Sequence, residues 1–264
     1  MTAPSRSLPR GMGVVAALAI ILLLLPLVAI VLRTPWTDLG GTLGRPVVSD
    51  ALWLSVVTAS CATVCCVVLG TPLAMFLSQA SGLRAAIVRS LVLLPLVLPP
   101  VVGGVALLAA FGRRGILGGP LDAVGIRLPF TPSAVVLAQV FVALPFFVVT
   151  VEAGLRGVDD RLAEAATAVG AGRWLVFRRI TLPLIAPSVA AGTALALARA
   201  LGEFGATVTF AGNLGGRTQT MPLAVVEALR SDPEAALALS VVLIAASLAV
   251  LVGLRGRWLS GVRS

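Results

Sequence analysis

Six long runs of apolar residues alternate with short polar stretches along this chain, and most of those stretches carry arginine. The runs lie at about Val14–Leu32, Leu52–Leu77, Ile87–Ala110, Ser133–Val151, Leu184–Ala206 and Ala235–Leu254. Each is close to or above the ~20 apolar residues that cross a bilayer as a helix. A backbone in lipid must satisfy its own hydrogen bonds, so the pattern predicts an all-α integral membrane protein with six transmembrane helices. The first run is longer than a signal-peptide core, and no small-x-small cleavage site follows it.

Proline interrupts each of the second to fifth runs: Pro72, the set Pro95, Pro99 and Pro100, then Pro145, then Pro187. Gly103 and Gly104 follow the Pro99–Pro100 pair. Each proline removes a backbone hydrogen bond and favours a kink. Broken helices at membrane depth are tolerated where they are buried in protein or line a cavity, as a path that opens and closes would require.

Arginine placement sets the expected orientation. With the N-terminus inside, the inner segments hold twelve arginines and the outer segments seven. The excess predicts both termini in the cytoplasm of a multi-pass protein of the cell membrane. The stretch between the fourth and fifth spans then also lies in the cytoplasm.

That stretch, residues 159–183, is the most structured of the polar segments. Asp159, Asp160 and Glu164 load its start with negative charge, as suits a helix N-terminus. Leu162, Ala165, Ala166 and Val169 follow helical spacing and form one small apolar stripe. Gly170 permits a sharp break. A second short helix follows, with Trp174, Phe177 and Ile180 on one side and Arg173, Arg178 and Arg179 free to face water or headgroups, and Pro183 marks the junction with the next span.

Composition removes several function classes. The chain is 58% hydrophobic and 12% charged, too apolar for a soluble domain of 264 residues. All 20 basic residues are arginine, and there is no lysine or histidine. A Walker phosphate loop, Schiff-base chemistry, a histidine general base and a histidine-ligated metal are therefore unavailable to this chain. No catalytic residue is expected, and energy must come from another polypeptide or an ion gradient. The net charge of +9 does not point to nucleic acid, because the arginines bracket spans and form no stripe. Cys61, Cys65 and Cys66 share one apolar run with no metal-ligand spacing, and read as small packing residues.

Two motifs carry a family resemblance. Glu164, Ala165, Ala166, Gly170, Ile180, Leu182 and Pro183 match, in type and spacing, the EAA loop of ABC-importer permeases. Further along, Gly202–Ala206, Ala211–Asn213 and Arg217–Ala224 resemble the molybdate branch of that superfamily. The resemblance implies a type I permease fold with a cytoplasmic coupling-helix loop. Residues 1–46 would be an N-terminal segment with the first span, 47–258 the permease domain, and 259–264 a cytoplasmic tail. It implies as partners a cytoplasmic ABC ATPase dimer docked on the loop, an extracytoplasmic oxyanion-binding protein, and a second copy of this chain in the bilayer. ATP and magnesium would be held by the ATPase, and no cofactor by this chain. Sulfate and tungstate are alternatives to molybdate, and an ion-coupled secondary transporter is the reading left if the loop is set aside.

For the translocation path the candidates are Arg199, Glu203, Asn213, Arg217, Thr218 and Gln219. Arg199 and Glu203 are charged, deep in an apolar helix and i, i+4, so they can pair along one face. A helix cap is the competing role for the pair. Asn213, Gly215 and Gly216 make a flexible turn, Thr220 is placed to cap a short helix with Pro222 in its first turn, and Asp232–Pro233 opens the sixth span the same way. An impermeant thiol reagent outside intact cells, with the native cysteines removed, should spare Ala168→Cys and label it after permeabilisation. Labelling in intact cells would reverse the orientation.

Overall fold

A computed structural model describes residues 10–260, and the N-terminal Arg6 and the tail beyond Ser260 lie outside them. Among the described residues all regular structure is helical. The elements are α1 (Arg10–Arg33), a 3-10 turn (Trp36–Asp38), α2 (Leu39–Leu43), α3 (Pro46–Gln79), α4 (Gly82–Val97), α5 (Pro100–Phe111), α6 (Gly118–Ala123), α7 (Pro132–Arg156), α8 (Asp160–Ala168), α9 (Arg173–Val176), a π-turn (Phe177–Thr181), α10 (Leu182–Leu201), α11 (Gly205–Phe210), α12 (Met221–Ser231) and α13 (Pro233–Ser260).

Helices α3, α7 and α10 form the centre. Their contact is built from small residues, Ala59, Ala62, Cys66 and Ala74 against Ala143 and against Ala196 and Ala200, all buried. Lipid is as apolar as a leucine side chain, so helices in it gain by close packing rather than by leaving water. Phe147 of α7 fills the one wide gap. A Cβ added at Gly70 of α3 would lie 2.5 Å from its ring, and one at Gly192 of α10 would lie 3.1 Å from it. A fully buried phenylalanine thus sits in a slot cut by two glycines.

Two satellite cores flank this centre. In one, Leu107 of α5 and Ala206 and Phe210 of α11 pack on the start of α7 at Ala134, Val135 and Ala138. In the other, Met221 and Ala224 of α12 join Val48 and Ala51 of α3 and Leu239 of α13. The Ser55 hydroxyl accepts the Met221 N–H at 2.7 Å and pins α12 to α3. Helix α1 packs on α13 alone among its main neighbours, and its apolar side chains are exposed along its length.

The six expected spans correspond to five long apolar helices and one bent pair. Two expectations are corrected. The third span, expected as one run over Ile87–Ala110, is two helices meeting at 118°. Pro99 and Pro100 supply no N–H, and Leu98 is forced to an extended backbone before them. At ~1.5 Å per residue, α4 rises about 24 Å, so the bend comes short of a full ~30 Å crossing. Helix α5 then folds onto α11 and the start of α7. The fifth span ends at Leu201, five residues before the expected Ala206, because Gly202 to Phe204 leave helical geometry before α11 begins. The helical caps also differ in detail. Thr220 does occupy the position before α12, yet its hydroxyl bonds no backbone N–H. Asp232 does cap α13, accepting the Ala235 N–H at 3.1 Å and pairing with Arg45. Those contacts hold its carboxyl below its usual range, so the stabilisation they give persists at neutral pH and is lost as pH falls through the lowered value.

Gly70→Ala should cost about 1–3 kcal/mol by overpacking, read as a lower melting temperature in detergent. Gly119→Ala, where a Cβ meets nothing within 4 Å, should leave it unchanged.

Candidate functional site

The hairpin between α7 and α10 is built by its own sequence. The Asp159 carboxylate accepts the Arg161 N–H at 3.0 Å and starts α8. Nine residues later the helix stops. Gly170 adopts φ +89°, its N–H reaches the Thr167 carbonyl at 2.9 Å, and the Ala171 N–H reaches the Ala166 carbonyl at 3.1 Å. These two bonds are the glycine-terminated helix end known as a Schellman motif. The spacing from Glu164 to Gly170 therefore measures one helix and its stop.

The side chains on α8 point away from the bundle. Glu164 and Ala165 are exposed, Ala166 is half-buried, and Val169 and Leu162 are exposed at 85% and 48%. The main contacts of α8 are with α9 and the π-turn, and Leu162, Ala165 and Val169 of its apolar stripe stay exposed. Trp174 is also exposed and stacks on Phe177 with centroids 5.4 Å apart. Beneath α8 lies a cleft of about 620 Å³, lined by Ser78 and Gln79 of α3, Arg156 of α7, and Asp159, Ala163 and Ile180 of the hairpin.

Pro183 lies in the first turn of α10, at the expected junction with the next span, and no break precedes it. Helical structure runs unbroken from Arg173 to Leu201. The π-turn over Phe177–Thr181 widens the helix just before Pro183, whose ring would otherwise clash with the carbonyl four residues back. Ile180 and Leu182 are half-buried and Pro183 is exposed. The second arm of the hairpin is thereby continuous with α10.

An ion cluster that the motif search did not find ties this end together. The Glu152 side chain, 8% exposed, accepts Nε and Nη2 of Arg89 at 3.0 and 2.8 Å and Nε of Arg156 at 3.1 Å, all on one oxygen. Arg89 also donates to the Leu77 carbonyl at 3.0 Å. Through Arg89 and Arg156, Glu152 thus ties the end of α3, the middle of α4 and the end of α7 together. The i, i+4 spacing of Glu152 and Arg156 was legible; Arg89, 63 residues from Glu152, was not.

At the other end of α10, Arg199 Nη2 lies 2.7 Å from Glu203 Oε2. The distance makes an ion pair, but that oxygen has no aligned hydrogen bond. The other Glu203 oxygen accepts the Ala206 N–H at 2.8 Å and caps α11. The path candidates do not gather in one site. Thr218 is fully buried and accepts the Leu214 N–H at 3.0 Å, which braces the loop, and Gln219 is also buried. Asn213 and Arg217 are exposed, with Asn213 3.4 Å from Glu227. No cluster of metal-ligating side chains occurs among the described residues.

Residues 67–260 match the family model described as binding-protein-dependent transport system inner membrane component. The chain belongs to that family. It is 45% identical over 254 residues to the molybdenum transport system permease protein ModB of Mycobacterium tuberculosis, covering 96% of each chain. It is 40% identical over 214 residues to ModB of Escherichia coli K12, covering 81% of this chain and 93% of that one. The fold is that of a bacterial ABC transporter involved in import of the polysaccharide alginate, with TM-score 0.75, 17% identity and coverage of 94% and 96%. The structure is therefore an ABC-importer permease fold.

Glu152→Ala should lower stability by about 2 kcal/mol in a melt. That is less than for a fully enclosed pair, because Arg89 and Arg156 are 31% and 51% exposed and can rehydrate.

Proposed function

We propose that this chain is the membrane permease of an ABC importer for molybdate. It forms the translocation path as a homodimer and leaves ATP hydrolysis to a separate ATPase. The observation that carries the coupling half is the exposed apolar stripe of α8, which Gly170 joins to a helix continuous with α10. A groove on a cytoplasmic ATPase is the occupant that stripe fits, through Glu164, Ala165, Ala166 and Gly170. Ile180, Leu182 and Pro183 carry its motion into the span. The substrate half rests on the molybdenum permeases that are 40–45% identical over most of the chain. A structurally similar alginate transporter is in complex with a substrate-bound periplasmic protein. A binding protein delivering the oxyanion to the face opposite α8 is the corresponding partner here. Both termini and the hairpin lie in the cytoplasm in this reading. Arg199, Glu203 and the loop Asn213–Gln219 lie on the delivery side.

The transporter should be purified with its ATPase and reconstituted with its binding protein. Molybdate-loaded binding protein should stimulate ATP hydrolysis and molybdate uptake, and sulfate- or tungstate-loaded protein should do so less. Gly170→Val places a β-branched residue at φ +89°, a left-handed backbone costing about 1–2 kcal/mol for an L-residue. It should cut ATPase recovery with the permease and uptake together. Retained ATPase binding with intact uptake would refute the coupling role.

A further inference from the structure

The bend between α4 and α5 borders a cavity of about 140 Å³. Its walls are apolar: Pro95, Pro99, Pro100 and Gly103 from the two helices, and Phe141 and Phe146 from α7. The one charged lining residue is Arg199, reaching in from α10. A guanidinium has five N–H donors. Its ion-pair partner Glu203 offers it only Oε2 at 2.7 Å, and out of hydrogen-bond alignment. The reason is visible in the backbone. Glu203 Oε1 is committed to the Ala206 N–H, which fixes the carboxylate and stops it turning to meet the guanidinium squarely. Arg199 makes no hydrogen bond to any other described residue. It is therefore a charge-balanced cation with unused donors at the wall of a small apolar chamber.

We propose that this chamber is a transit site for a small tetrahedral oxyanion, with Arg199 as its cation and Glu203 as the counter-charge that keeps the affinity low. The proposal rests on the permease reading above and adds the place where the anion is held in passage. Size supports it. A chamber of about 140 Å³ has room for a four-oxygen anion stripped of its hydration shell. Charge supports it too. An arginine alone at membrane depth would bind a dianion tightly and release it slowly, while conduction needs a site weak enough to leave. A fixed carboxylate beside the cation repels the anion and supplies that weakness. The chamber also sits at the bent joint. Gly205, two residues past Glu203, lies so close to Pro100 that a Cβ there would be 2.6 Å from the proline ring. A change in the α4–α5 angle must therefore displace the cap of α11 and the carboxylate with it.

Equilibrium dialysis of the permease–ATPase complex with radiolabelled molybdate, without binding protein, tests the site directly. Glu203→Gln keeps an oxygen for the Ala206 N–H and removes only the charge. It should bind molybdate about tenfold more tightly than the parent and import it more slowly in proteoliposomes. Arg199→Gln should lose both binding and uptake, and Arg199→Lys should regain part of each. A melt of each variant separates these effects from misfolding. Unchanged dialysis and uptake in Glu203→Gln and Arg199→Gln would overturn the transit site, while molybdate uptake by the parent still upheld the permease reading. A parent complex that imports no molybdate, tungstate or sulfate would overturn the permease reading itself.

Discussion

The structure depends on how closely three helices approach one another. In lipid an exposed leucine loses nothing, so burial alone cannot hold α3, α7 and α10 together. What holds them is contact: alanines and a cysteine along α3, alanines along α10, and Phe147 set between Gly70 and Gly192. Gly154 on the same face of α7 meets Ser188 of α10 with no room for a side chain. A tightly fitted centre resists deformation. That rigidity lets displacement at one end of the bundle reach the other without being absorbed between them.

Charge is confined to the two ends of that centre. At the hairpin end Glu152 gathers Arg89 and Arg156, and at the far end Glu203 balances Arg199. Each carboxylate is nearly inaccessible, and each arginine is partly exposed. The asymmetry suits the chemistry, since a guanidinium is weakly hydrated and sits well at a boundary. Helix α4 runs from one cluster to the other: Arg89 is in its middle turns, and Pro95 near its end lines the chamber that holds Arg199. The hairpin, the Glu152 cluster, α4 and the bent joint are thus physically contiguous.

Some features were readable because they are local. Asp159 and Gly170 bracket α8 through bonds within a few residues, so the spacing of Glu164, Ala165, Ala166 and Gly170 encodes the helix and its stop. Asp232–Pro233 as the opening of α13 is equally local. Other features misled for the opposite reason. Thr220 has the right residue type and place for a cap, but its backbone is positioned by Met221 bonding Ser55, 166 residues away. Thr218 reads as polar lining, and in the fold its buried hydroxyl also accepts the Leu214 N–H. Polarity in a sequence does not say whether a group faces a path or a neighbouring backbone.

By itself the sequence determined the helical membrane class, the number of apolar segments, the hairpin and the residues that form it. Each of these follows from composition, from period or from bonds spanning a single turn. Tertiary structure decided the rest. It set the 118° angle at Pro99–Pro100, the early end of α10 at Leu201, the continuity through the π-turn, and the meeting of Arg89 with Glu152 and of Arg199 with the proline chamber. A proline shows that a helix can break, but the direction of the break is fixed by what packs against it. Here that is α11 and the start of α7, which no local pattern in α4 or α5 encodes.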